Sequence, residues 1–373
     1  MPAPDVLVVG AGIVGAACAA EAAGAGLSVR VLESRFAGGG ATAAAMGHIV
    51  VMDDSPAQFA LTDLSRRLWT ELAPSLPPAC EDQQTGTLWV AADAEELGHV
   101  ATKAAFYRER GVAVEELDAA ALAAAEPNLR PGLAGALRVS GDRVLYPVNA
   151  ARWLLERAAA SGAERLEGRE VVSIGPGGIR TRDGAMDAGV VVNAAGTAAP
   201  DLTPGLPIRP RKGHLVITDR YPGFCRHQIV ELGYLKSAHA PSRESVAFNL
   251  QPRATGQMLL GSSREFAGLD ASINRRILDR MIRRALEFLP ALAGLSAIRA
   301  WVGFRPATPD NLPLVGRYDP VPGLLVAAGH EGLGITTALG TARLVVDAIL
   351  GRSSPIDPAP YSPMRPFAAA AHA

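Results

Sequence analysis

The sequence predicts an α/β chain, α+β overall, in which a domain built on a mainly parallel sheet carries a second domain built on antiparallel strands. Three observations lead there. A strand–glycine–helix device stands near each end of the chain, at 6–24 and 324–350. A run of three valines and an asparagine, 190–193, passes directly into Ala194, Ala195 and Gly196, as a buried parallel strand ending in tiny residues would. Between 208 and 295 the apolar residues alternate with polar ones at period two, the pattern of antiparallel strands. With 373 residues the chain exceeds the ~250–300 at which single cores stop growing, so two domains are expected.

The first device reads "DVLVVGAGIVGAACAAEAAGAGLSVRVLES". Val6 to Val9 form the strand, Gly10, Gly12 and Gly15 fall in G-x-G-x-x-G spacing, and an Ala-rich helix leads to a second strand ending at Glu33. Gly10 allows the tight turn, Gly12 admits a pyrophosphate to the backbone, and Gly15 lets helix and strand pack closely. The helix N-terminus adds partial positive charge. Glu33 stands where an acid accepts ribose hydroxyls and repels a 2′-phosphate, so these residues predict a Rossmann-like dinucleotide site and leave FAD and NAD both open.

The loop "RFAGGGATAAAMGHIV" (35–50) is too rich in small residues for a core element and suits close approach to a large ligand. In 169–200, short strands at 171–174, 178–181 and 190–193 are joined by G-P-G-G and D-G turns. "GHLVITD", "QIVELGYLKS", "SVAFNLQPR" and "QMLLGSSRE" supply the antiparallel strands, followed by an amphipathic helix over 274–289 whose arginines, 275, 276, 280, 283 and 284, read as a solvated face. In "AIRAWVGFRPATPDNLPLVG", Arg305 sits among Trp301, Phe304 and prolines, a setting suited to bidentate capture of a carboxylate. The second device has its strand at 324–328, a glycine turn at 329–334 and a helix at 336–350. The prolines at 355, 358, 360, 363 and 366 predict an extended or frayed tail.

A formal net charge of −1 gives no field for nucleic acid or anionic membranes. The 49% of apolar residues are dispersed, with no run of the ~18 that a membrane span needs and no basic leader before the first strand. Cys18, Cys80 and Cys225 are far apart and odd in number, which excludes a cysteine-rich metal site and fits small buried residues in a reducing compartment. No metal centre and a cytoplasmic location are expected.

Taken in order, "VLVVGAGIVGAACAAEAAGAGLSVRVLE", "VVNAAGTAAP", "GFRPATPDNLPLVG" and "AAGHEGLGIT" resemble the FAD-dependent family containing D-amino acid oxidase, glycine oxidase and sarcosine oxidase. The combination of "GGGATAAAMGHIVVMDDSPAQFAL" with "RKGHLVI" most resembles bacterial D-hydroxyproline and related D-amino acid dehydrogenases. The resemblance implies that FAD meets Gly10, Gly12, Ile13, Val14 and Gly15 at its pyrophosphate and Glu33, Ser34 and Arg35 at its adenosine. Thr42, Ala43, Gly47 and His48 would run beside the phosphates and flavin, backbone at Val172 would hold adenine, and Ala194, Ala195 and Gly196 would lie beneath the pyrophosphate. Gly329, His330, Gly332, Leu333, Gly334, Ile335 and Thr336 would line the flavin. Arg305 matches the family's substrate-carboxylate arginine, His48 is a catalytic candidate, and Tyr234 and Phe248 are candidates for closing the substrate pocket. Sarcosine oxidases tether flavin through a cysteine near the P-D motif; "TPDNLPLVG" has none, so non-covalent FAD is implied.

The same resemblance divides the chain into an FAD domain from 1–85, 140–205 and 300–360, a substrate domain from 86–139 and 206–299, and a tail over 361–373. It implies oxidation of a D-amino acid or cyclic imino acid to the imine by hydride transfer to flavin N5, with a small amino- or imino-acid substrate as partner. An oxygen-using glycine, sarcosine or D-amino acid oxidase, and the flavin subunit of a larger dehydrogenase, are the alternatives. The electron acceptor and oligomeric state stay open.

Overall fold

The computed structural model describes residues 2–233 and 244–367. Val6–Val9 forms the middle of a six-stranded sheet because its apolar, β-branched residues are buried on both faces. The sheet runs in the order Leu314–Arg317, Leu324–Ala328, Val190–Asn193, Val6–Val9, Val29–Glu33, Glu164–Glu167. Its neighbours are parallel except the first two, which are antiparallel. Helices Ile13–Gly24, Pro147–Ala160 and Gly334–Leu350 pack in one layer, and the alanines of the first are buried against its neighbours. Small side chains bring these helices close to the strands. At Gly15 an added Cβ would lie 1.9 Å from the Gly10 carbonyl oxygen.

The second sheet has eight strands in the order Ala297–Ala307, Arg209–Thr218, Met258–Glu265, Glu244–Pro252, Gln228–Glu231, Thr87–Ala91, Gly135–Val139, Val114–Asp118. It is mixed, since Gln228–Glu231 and Thr87–Ala91 run parallel. Helix Arg275–Phe288 covers it, capped by the Asn274 side chain. Ala297–Ala307 pairs along its length with Arg209–Thr218, so the residues just after 300 lie in this sheet and not with the six-stranded one, where the expected boundary put them. A strand's sheet is set by its distant partner, which local sequence does not show.

Two further expectations change. The arginine face of helix Arg275–Phe288 is only partly solvated: Arg276 and Arg280 reach Glu244, and Arg284 donates from Nε to the buried Glu231 at 2.8 Å. The tail is held rather than frayed as far as Phe367. Tyr361 is buried with its hydroxyl donating to the Ala57 carbonyl at 2.6 Å, and Arg365 grips Asp310 through two hydrogen bonds of 2.8 and 2.9 Å. All three cysteines are buried. Among the described residues no helix is long and apolar enough to cross a membrane.

Candidate active site

Strand Val6–Val9 ends at Gly10, whose φ of +103° suits only glycine and where a Cβ would stand 2.7 Å from the Ala194 carbonyl oxygen. The turn therefore presses against the loop after Val190–Asn193. Beyond it, the N–H of Ile13 donates to Thr42 Oγ1 at 3.0 Å, and a Cβ on Gly12 would meet that same oxygen at 3.3 Å. Glu33 closes the other side: Oε2 accepts from the N–H of Ala11 and Oε1 from the N–H of Arg35, both at 2.9 Å. Oε1 also accepts from the Ser34 hydroxyl at 3.3 Å, so the second lone pair of Oε2 is the one that would take a ribose hydroxyl.

These residues open onto one cavity of about 520 Å3 lying between the two sheets, within the range of cofactor and ligand sites. Of the sequence-derived candidates, Gly10, Gly12, Ile13, Val14, Glu33, Ser34, Arg35, Thr42, His48, Ala194, Ala195, Gly196, Arg305, His330, Gly332, Leu333, Gly334 and Ile335 line it.

The remaining candidates stand behind the wall or away from it. Gly15 packs under the Gly10 turn. Gly47 donates its N–H to Gln251 Oε1 at 2.7 Å and sits where a Cβ would collide with the Leu145 carbonyl. Gly329 turns with φ +79° against Thr308, and Thr336 donates to the His48 carbonyl at 2.8 Å. Ala43 is exposed, and Val172 is 47% exposed, so the cavity wall there is Val171, one residue earlier. Phe248 is no pocket aromatic: it is fully buried and stacks on Phe288 with ring centroids 5.0 Å apart, inside the core between sheet and helix. Tyr234 lies outside the described residues.

Arg305 reaches the cavity from strand Ala297–Ala307, directly opposite Arg211. Its Nη1 donates to the Ser263 carbonyl at 3.0 Å. Trp301 does not hold it as the sequence suggested; that indole donates to the Ala44 carbonyl and carries Arg299 over its ring. Room for the guanidinium comes from Gly213, where a Cβ would stand 2.2 Å from Nη1. Glu331, in the glycine turn after Leu324–Ala328, lies 3.4 Å from Arg264 Nε and 3.8 Å from Arg211 Nη1. Burial disfavours its charge, but Arg264, Arg305 and Arg211 outweigh that and hold its carboxyl below the usual range. Sequence reasoning passed over Arg211, Arg264 and Glu331, although "RKGHLVI" and "GHEGLG" carry two of them.

Two histidines share the wall. Burial pushes the His48 imidazole down to about 3, and its Nε2 is enclosed without a hydrogen-bond partner among the described residues. His330 is held down to about 3 by the same cause, its Nε2 2.9 Å from Thr341 Oγ1. Both are neutral at ordinary pH.

A glycine cradle with an acid at the end of the second strand, opposed across one cavity by an arginine-lined sheet, is the arrangement of a dinucleotide-dependent enzyme. The family model for FAD-dependent oxidoreductases matches residues 5–348, and the chain belongs to that family. Glycine oxidase of Pseudomonas putida is 29% identical over 96% of this chain and 98% of its own. D-amino acid dehydrogenase of Cereibacter sphaeroides is 30% identical over 80% of this chain and 69% of its own. The crystal structure of glycine oxidase from Geobacillus kaustophilus superposes with a TM-score of 0.88 at 27% identity, covering 99% of this chain and 100% of that one. FAD is thus the cofactor, and the residues present fit it: the Gly10 and Gly12 cradle would take the pyrophosphate, Glu33 the ribose, and the loop from His330 to Ile335 the flavin side.

Proposed function

We propose that this enzyme oxidises a D-amino acid or a cyclic imino acid, such as cis-4-hydroxy-D-proline, to the corresponding imine. The observation that carries this reading is Arg305, a guanidinium seated over Gly213 in the same cavity as the glycine cradle. FAD, when bound, would accept the Cα hydride, which carries both electrons, while the N–H proton passes to solvent. The chain's own residues bind and orient. Arg305 holds the substrate carboxylate through paired N–H bonds, while Glu331 keeps the neighbouring guanidiniums of Arg211 and Arg264 in place. Neutral His48 offers Nε2 as a hydrogen-bond partner without placing a second positive charge beside the substrate nitrogen. The six-stranded side is the FAD domain and the eight-stranded side the substrate domain.

The test is a panel of D-amino acids, cyclic imino acids, N-methyl glycine and amines lacking a carboxylate, with bleaching of the flavin spectrum as readout. Bleaching by the carboxylate-bearing compounds and not by the plain amines supports the reading; bleaching by plain amines alone rejects it. Similarity to glycine oxidases favours a second reading in which oxygen takes the electrons. Hydrogen peroxide formation, set against dye reduction, separates the two.

A further inference from the structure

Among the described residues, Gln228 Oε1, Asn249 Oδ1 and Ser262 Oγ are sealed from solvent with no hydrogen-bond partner, and all three residues line the cavity. Their side chains belong to residues only 2%, 6% and 3% exposed. Buried polar groups are satisfied in native proteins, so three orphans on one wall mark where a ligand supplies the partners. They sit on three adjacent strands of the eight-stranded sheet. Asn249 is opposite Val230, itself two residues along the same face from Gln228, so these two amides share a face, and Ser262 lines the cavity beside Gly261, the partner of Asn249 on the other side. Arg305 lies two strands beyond that of Ser262. The cavity wall on this sheet thus presents a guanidinium toward one edge and uncharged polar groups toward its middle.

We infer that Gln228, Asn249 and Ser262 form a subsite for an uncharged hydroxyl or carboxamide on the substrate's side chain or ring. The inference rests on the amino-acid reading above. The two orphaned amide oxygens accept and the Ser262 hydroxyl can donate or accept, so together they match a group that both donates and accepts. An apolar substituent of equal shape leaves them dry and unpaired, and that is the source of discrimination. The α-carboxylate is taken by Arg305, which leaves this wall to the side chain.

The experiment compares matched substrates on the FAD-loaded enzyme by stopped-flow flavin bleaching: cis-4-hydroxy-D-proline with D-proline, D-asparagine with D-leucine, and D-glutamine with D-glutamate. The polar neutral member is expected to bleach the flavin on the order of 100-fold more efficiently than its apolar or charged partner. In Asn249→Leu and Ser262→Ala the ratio shrinks about tenfold, with flavin content and the oxidised spectrum unchanged. A wild-type ratio within about threefold overturns the subsite while leaving amino-acid oxidation standing, and this arm needs no variant to fold. Faster bleaching by D-glutamate than by D-glutamine overturns it by moving the side chain to Arg211 and Arg264. Loss of flavin from both variants assigns the orphans to the cofactor. Bleaching by none of these compounds removes the amino-acid reading, and the subsite with it.

Discussion

Gly213→Ala is expected to leave fold and FAD content intact yet slow substrate oxidation roughly 100-fold, because a shift of about 1 Å in an orienting group costs about that much. A Cβ at this position would stand 2.2 Å from Arg305 Nη1 and 2.8 Å from Cζ and Nη2. Ordinary contact begins at 3.4 Å, so the guanidinium must retreat by more than an ångström. The obstacle is the far end of a side chain and not backbone, and the glycine lies in extended strand, so the fold accepts alanine. Stopped-flow bleaching with a carboxylate substrate gives the rate, and thermal unfolding with the flavin-to-protein absorbance ratio gives fold and loading. In an Arg305→Ala background the same change should add little, since its target is gone. A parental rate in Gly213→Ala, or an equal penalty in both backgrounds, refutes the proposed seat of the guanidinium.

Arg305→Lys should keep FAD but weaken substrate reduction of the flavin, and Arg305→Ala should do worse, by about 2–5 kcal/mol or roughly 30- to several-thousand-fold in kcat/KM. Amines without a carboxylate should show much smaller losses, and equal losses would make the arginine structural. Gly12→Val should empty the flavin site while Arg283→Ala, on a side chain 75% exposed, leaves it full; normal flavin in the former reduces the glycine motif to a turn. Acid or heat should release free FAD, and flavin retained on the precipitated chain would show a covalent bond. Burial raises the Asp142 carboxyl from 3.8 to about 7, against hydrogen bonding from Thr87. A raised folded-state pKa means this contribution to stability is fully present below about 4, is lost as pH climbs through about 7, and is flat above that. Asp142→Asn should flatten that slope in urea melts taken across this range, and an unchanged slope would assign it to other groups.

The glycine cradle, Glu33 and the strands at 190–193 and 324–328 were legible because each is local: spacing, small residues and a buried apolar run lie within a few positions of one another. What escaped depends on register between distant segments. Phe248 and Asn249 are neighbours on one strand, and period two puts them on opposite faces without saying which face meets the cavity. The aromatic drew attention, and the amide is the one on the wall. Arg305 was legible as a functional arginine, but its seat is made by Gly213, some ninety residues earlier, and pairing of those two strands carries no signal in either alone.

The six-stranded sheet also sets a timetable for synthesis. Val6–Val9 finds its first neighbour, Val29–Glu33, almost at once, but its other edge waits for Val190–Asn193, and the loop that completes the cavity ends only at Ile335. At roughly 5–20 residues per second, a nascent chain spends about 15–60 seconds with the glycine turn built and the rest of its pocket unmade. Cofactor capture therefore waits for the loop that ends at Ile335, and chains stopped short of it are expected to emerge colourless, with the edge of Val190–Asn193 bare for want of its partner.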